Sequence, residues 1–185
     1  RQALDQIDQQ LNKPMSENCR LVFAIPAFEE GKNIRKTLEQ FLGQKDRDGN
    51  PLDPDLYEII IFDNHPKDVP KDNTEEEMNK FQKEHPKVNV LYAHKEWQAG
   101  EAGVGNARKH ANDLALLRSI KRRNQSGDLI LISNDADLDG ISNRYVTDVV
   151  NEFDNKKELD AIAGKWTLPE YALKKPNFRA AQRLW

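Results

Sequence analysis

Asp128–Gly140, DLILISNDADLDG, governs how the rest of the chain is read. Leu129 to Ile132, closed by Ser133, form an apolar run too short for a buried helix and suited to a strand covered on both faces. The run then stops in acid. Asp135, Asp137 and Asp139 alternate with Ala136 and Leu138, so in an extended segment their side chains leave on one side and their carboxylates converge. Neighbouring carboxylates repel unless a cation or water screens them, which reads as a hard-metal site or as a solvated acidic turn. The strand directly upstream favours the metal site, because ligands of open α/β sheets gather at the carboxyl ends of strands.

Before that stretch the chain alternates apolar runs with amphipathic ones. Leu4, Ile7 and Leu11 stand at helical spacing ahead of Pro14, so residues 1–19 read as a helical packing arm. Arg20–Ile25 predicts a first strand, ended by Pro26, which has no N–H to give a ladder. Ile34, Leu38, Phe41 and Leu42 predict a helix from about Asn33 that closes at Gly43, and Gln44–Leu56 reads as a surface loop. Tyr57–Phe62 predicts a second strand with Asp63 at its carboxyl end. Thr74, with Glu77 three residues on, resembles a capping box that starts a helix carrying Met78 and Phe81. Val88–Ala93 predicts a third strand, and Ala107, Ala111, Leu114 and Ala115 mark a long helix. Beyond the acidic stretch, Val146, Val149, Val150 and Phe153 share one side of a further helix, and Asp160–Gly164 reads as a short fifth strand.

This alternation implies right-handed crossovers and an α/β class: a Rossmann-like layer with a mostly parallel sheet and helices on both faces, over residues 20–165. If the first and fourth strands are neighbours, the loops after them flank the sheet's switch point. Pro26–Glu30 then come close to Asp135 and Asp137, with Asp63 at the adjoining crest.

The composition narrows the class of partner. A chain of 185 residues buries one good core. Its net charge of −3 argues against a nucleic-acid partner held by phosphate contacts. The one basic run, Lys121–Arg123, reads as a solvated helix terminus that suits the helix dipole. The single cysteine, Cys19, excludes an intramolecular disulfide, and the four histidines lack zinc spacing. No run reaches the length of a membrane span, and the start lacks a signal peptide's apolar middle, so a cytoplasmic location is expected, with any membrane association supplied from outside this chain. A beginning at Arg1 and an end at Trp185 suggest a piece of a longer protein.

Two local motifs compete for the chemistry. Asp135–Gly140 copies the first half of an EF-hand loop, but the twelfth position is Val146 instead of glutamate, and a strand stands where that motif needs a helix. Gly103 and Gly105 in GVGNAR supply the first two glycines of a dinucleotide fingerprint, yet Arg108 holds the third place. A glycine-rich start leaves helix N–H groups free and able to hold an anion.

Taken together, the strand ends resemble those of the family 2 glycosyltransferases, which have the GT-A fold. LVFAIPAFEEGKNIRKTLEQF is similar to that family's opening, YEIIIFDN to its second strand, GVGNARKHAN to its glycine, alanine and arginine helix start, and DLILISNDAD to the strand that delivers the DxD metal motif. The resemblance spans about residues 20–140 and implies a hexosyltransferase that uses Mg²⁺ or Mn²⁺, a UDP- or GDP-sugar donor and an unknown acceptor. By similarity, Asp137 is the direct metal ligand and Asp135 contacts ribose or metal. Asp63 accepts a hydrogen bond from the base, Pro26, Ala27 and Phe28 line the nucleoside, Glu30 matches the motif's acid, and Arg108 steadies the nucleotide. The chain departs from the pattern at FDNHPKD, where paired aspartates followed by Gly-Ser are usual, at Glu29 and at Lys109. An inverting transferase also needs a carboxylate base. The only acid after Lys165 is Glu170, so Glu170 serves, the base lies beyond Trp185, or configuration is retained. Residues 166–185 read as the start of an acceptor-side region. A sugar-phosphate nucleotidyltransferase and a non-catalytic calcium or interaction module remain as alternatives.

Overall fold

The computed structural model describes residues 2–11, 13–98, 101–122, 129–138 and 140–164. Residues Arg1–Glu152 form one compact unit and Phe153–Trp185 a second. The first is built on four parallel strands, β1 (Leu21–Ala27), β2 (Tyr57–Pro66), β3 (Val90–Trp97) and β4 (Ile130–Ser133), in the order β3-β2-β1-β4. The helices are α1 (Gln2–Gln10), α2 (Ile34–Glu39), α3 (Thr74–Glu84), α4 (Val104–Lys121) and α5 (Tyr145–Asn155). The first and fourth strands pair as expected, Leu21 against Ile130 through Ala24 against Ser133.

Side chains of a strand alternate between faces, so β1 and β2 each supply both sides of the sheet. Val22, Ala24, Ile60 and Phe62 pack with Ile7 of α1 and with Ala107, Ala111, Leu114 and Ala115 of α4. On the other face Phe23 meets Phe41 at 4.6 Å between ring centroids and stacks on Tyr145 of α5 at 5.9 Å, where Ile34, Leu38, Met78 and Phe81 are also buried. Small residues on α4 let its backbone lie close to β1 and β2. Its outer end is pinned by charge. Arg118 donates from Nε and Nη2 to the two carboxylate oxygens of Glu58 at 2.8 Å each, from Nη1 to Asp8 and from Nη2 to the Lys13 carbonyl. The helical arm is therefore part of the core.

Several expectations need correcting. Pro26 lies within β1, opposite Phe62. The β4 ladder stops at Ala24, whose carbonyl accepts from Asn134, so by alternation Pro26 faces a side with no strand to bond and its missing N–H is harmless. β2 and β3 run to Pro66 and Trp97, beyond the predicted ends. In β4 only Ile130 is buried; the strand pairs on one side among the described residues and is not covered on both faces. After α2 the bonds tighten to i→i−3, which swings Leu42 out to solvent while Phe41 stays inside. The basic run is not simply solvated. Lys121 pairs with Asp5 and Asp8, and Arg122 donates to the Cys19 carbonyl; Arg123 lies outside the described residues. Residues 160–164 form no strand, and Ile162 is 44% exposed there with no strand beside it among the described residues.

Candidate functional site

The carboxyl ends of β1 and β4 lie side by side, and each is tied down by the helix that follows or precedes it in space. After β1, Glu29 takes a left-handed backbone (φ 54°). Gly31 then passes so close to Asn73 that a Cβ would sit 2.0 Å from its side-chain Oδ1, so a larger residue here would have to push that side chain aside. The Glu30 N–H donates to the Thr74 hydroxyl at 3.0 Å and the Gly31 N–H to Asp72 Oδ2 at 2.9 Å. Asp72 Oδ1 accepts from the Thr74 N–H and hydroxyl. Burial pushes the Asp72 carboxyl up, but the bonds from Thr74 and Gly31 outweigh it and hold the group below its ordinary range. Thr74 thus ties two loops together and is not the capping residue that the sequence suggests; the N-cap is Asn73, with no side-chain cap bond.

After β4 the chain does not continue extended. It turns at Ala136 and Asp137, because the Thr37 hydroxyl donates to the Ala136 carbonyl at 2.6 Å and the Gln40 amide to the Leu138 carbonyl at 2.7 Å. Ala136 is buried, and Asp135 and Asp137 flank it in solvent. The extended acid triplet is therefore replaced by a turn presenting two carboxylates, and Asp139 lies outside the described residues. Asp135 is paired with the Arg108 guanidinium.

Between these loops and the start of α4 is a cavity of about 600 Å³. Pro26 and Ala27 line it from β1, Phe28 and Glu30 from the loop after it, Asp135 and Asp137 from the acid turn, Asn64 from β2, and Gly103 and Ala107 from the N-cap and first turn of α4. Phe28 is 43% exposed, with its ring 6.1 Å from that of His65. Glu30 is held by the Asn33 amide at 3.0 Å. The first N–H groups of a helix have no intrahelical partner, so the α4 end facing the cavity is electropositive. A flat apolar ring, a guanidinium, a helix N-terminus and a pair of carboxylates can together hold a nucleotide with a phosphate tail.

The structure brings together Pro26, Ala27, Phe28, Glu30, Asp135, Asp137 and, through its ion pair, Arg108. Asp63 is not among the cavity-lining residues. It sits on β2 level with Ala27, 5% exposed, and accepts from the Tyr92 hydroxyl at 2.6 Å through Oδ2, while Oδ1 has no partner among the described residues. Burial pushes the Asp63 carboxyl above its ordinary range, against the Tyr92 hydrogen bond. Glu170 lies outside the described residues. Sequence reasoning missed Asn64 and Asp72. Asn64 is invisible until β2 is known to run past Asp63; Asp72 had a signal, the Asp-x-Thr spacing of an Asx or ST turn.

A family model described as "Glycosyl transferase family 2" matches residues 22–116, from β1 to near the end of α4. No curated protein matches the chain.

Proposed function

The chain belongs to glycosyl transferase family 2, and on that premise we propose that it moves a hexose from a UDP- or GDP-sugar to an acceptor, assisted by Mg²⁺ or Mn²⁺. The observation that carries this reading is the cavity where the β1 loop, the Asp135–Asp137 turn and the start of α4 meet, next to Arg108.

In this reading the base lies against Phe28, whose exposed ring offers a stacking face. Asp63 is not in the cavity wall, but its register partner Ala27 and its neighbour Asn64 are, and it is proposed to accept a base N–H through Oδ1, which has no partner among the described residues. Arg108 turns from Asp135 to the diphosphate, where a charge-assisted, two-pronged contact is stronger than an exposed ion pair. The N–H groups at the start of α4 add to the same stabilisation of negative charge. The donor set suits a hard divalent ion. Asp135 and Asp137 offer carboxylate oxygens, and a diphosphate brings more. No cluster of three His, Cys, Asp or Glu exists among the described residues, so the ion would depend on the nucleotide for its remaining ligands. When bound, it stabilises the charge that grows on the departing diphosphate. Glu170 is proposed as the base that takes the acceptor's proton. A cytoplasmic location belongs to this proposal too; no helix among the described residues is long and apolar enough to cross a membrane.

Release of free UDP or GDP from the matching sugar donor in the presence of Mn²⁺ tests the reading. Release by the wild-type chain should exceed that by Asp137→Ala, while both unfold at the same temperature. Equal release by the two would remove Asp137 from the site.

A further inference from the structure

We infer that Thr37 and Gln40 are positioning residues for Asp137, and that their grip on the backbone around it sets how strongly a divalent ion tightens nucleotide binding. The inference rests on the metal-and-nucleotide reading above. Asp135 has an anchor of its own in the Arg108 ion pair. The Asp137 carboxylate makes no hydrogen bond or ion pair among the described residues, so the backbone alone decides where it stands. That backbone belongs to neither helix nor strand and is held from another part of the chain. The Thr37 hydroxyl, on a residue 1% exposed, donates at 2.6 Å to the Ala136 carbonyl, which lies in the peptide plane entering Asp137. The Gln40 amide donates at 2.7 Å to the Leu138 carbonyl, one plane beyond the one leaving Asp137. Peptide units are planar, so fixing a carbonyl fixes the orientation of its whole unit. Asp137 is bracketed by two such fixed units.

The bracket has a rigid base. Ile34 and Leu38 of α2 are fully buried, and the Gln40 amide also donates to the Lys36 carbonyl at 3.3 Å. Gln44 extends the row: its amide donates to the Ser142 carbonyl at 3.0 Å, and its Oε1 accepts from the Val146 N–H at 3.1 Å. Thr37, Gln40 and Gln44 thus hold the connection from β4 to α5 at successive points. Carboxylates two residues apart repel one another, and a loose turn would let them part until an ion drew them back. A turn fixed beforehand spares the ion that ordering cost. Partners that orient metal ligands from outside are worth about 10–100-fold in metal affinity. Thr37 and Gln40 act through backbone carbonyls instead of the ligand oxygens, which places them at the lower end.

Calorimetric titration of the full chain with UDP and GDP, each in Mn²⁺ and in EDTA, gives the factor by which the ion tightens the better-bound nucleotide. Thr37→Val keeps the shape of the side chain and removes the donor, and Gln40→Met does the same at the second carbonyl. Each should lower the Mn²⁺ factor about tenfold. Affinity in EDTA should stay at the wild-type value, which a general loosening of the fold would not allow. Thr37→Ser restores the hydroxyl and should restore the factor. If Thr37→Val does not fold, the half-buried Gln40→Met decides the matter. An unchanged Mn²⁺ factor in the folded variants, an equal loss in EDTA, or a Thr37→Ser chain that behaves like Thr37→Val overturns the positioning role alone. A wild-type chain that binds nucleotide with no Mn²⁺ factor, or binds neither nucleotide, overturns the metal-and-nucleotide reading and this role with it.

Discussion

Replacing Arg118 by methionine keeps the aliphatic stem of the side chain but leaves Glu58, in the middle of the sheet, without its cation. The side chains of Arg118 and Glu58 are 2% and 4% exposed, and the guanidinium meets the carboxylate in a two-pronged contact at 2.8 Å. It also holds Asp8 of α1 and the Lys13 carbonyl. Removing one partner of such a pair strands a buried charge and costs about 3–5 kcal/mol. A domain has about 5–15 kcal/mol in total, so the loss is a large share of its stability. At about 2–4 °C per kcal/mol for a chain of this size, the midpoint falls by roughly 6–20 °C. Urea unfolding followed by far-UV circular dichroism measures the difference. The double variant Arg118→Met with Glu58→Leu should recover much of it, because an apolar pair of similar volume replaces the ions and Asp8 keeps Lys121 as a partner. A loss below about 1 kcal/mol for the single variant, or no recovery in the double, would refute the view that this network pins α4 to the sheet.

Two further outcomes follow from the loops. Asp72 is held below its ordinary pKa, so its stabilisation is present above the ordinary carboxylate range and is lost as pH falls through the folded value. The stability difference between wild type and Asp72→Ala should therefore be largest near neutrality and shrink on acidification; a constant difference in urea melts from pH 7 to pH 2.5 would contradict the clamp on Glu30 and Gly31. Arg108→Ala removes an ion pair whose members are 41% and 61% exposed, so stability should change by less than about 0.5 kcal/mol. Nucleotide affinity should fall about ten- to a hundredfold, the worth of a charge-assisted bond, and an unchanged affinity by calorimetry would remove Arg108 from the phosphate site.

The sheet was legible because its signal is local. Four apolar runs of strand length, separated by amphipathic helices, fix a parallel α/β layer, and the run at Leu129–Ile132 led directly to the pairing of β4 with β1. Element ends were less so, because tertiary contacts decide them. Pro26 stays in β1 because its neighbour on that side ends early, and Leu42 turns outward because α2 closes with tighter bonds. In the site, the residues contiguous with strand ends could be named in advance, and Pro26, Ala27, Phe28, Glu30, Asp135 and Asp137 meet at one cavity. Long-range hydrogen bonds could not. Thr37 and Gln40 shape the acid turn across about a hundred residues of chain, as the bonds to Ala136 and Leu138 show. The face of β2 on which Asp63 or Asn64 lies depends on a register that no local pattern reveals.

The central claim is that the cavity between the β1 loop, the Asp135–Asp137 turn and the start of α4 holds a nucleoside diphosphate and a divalent ion as one unit. Calorimetric titration of the full chain with UDP and GDP, each with and without Mn²⁺, measures this directly. The account predicts that one nucleotide binds, that Mn²⁺ tightens it, and that Asp137→Ala abolishes the tightening without lowering the unfolding temperature. Absence of binding by both nucleotides, or a Mn²⁺ effect that survives in Asp137→Ala, would contradict it.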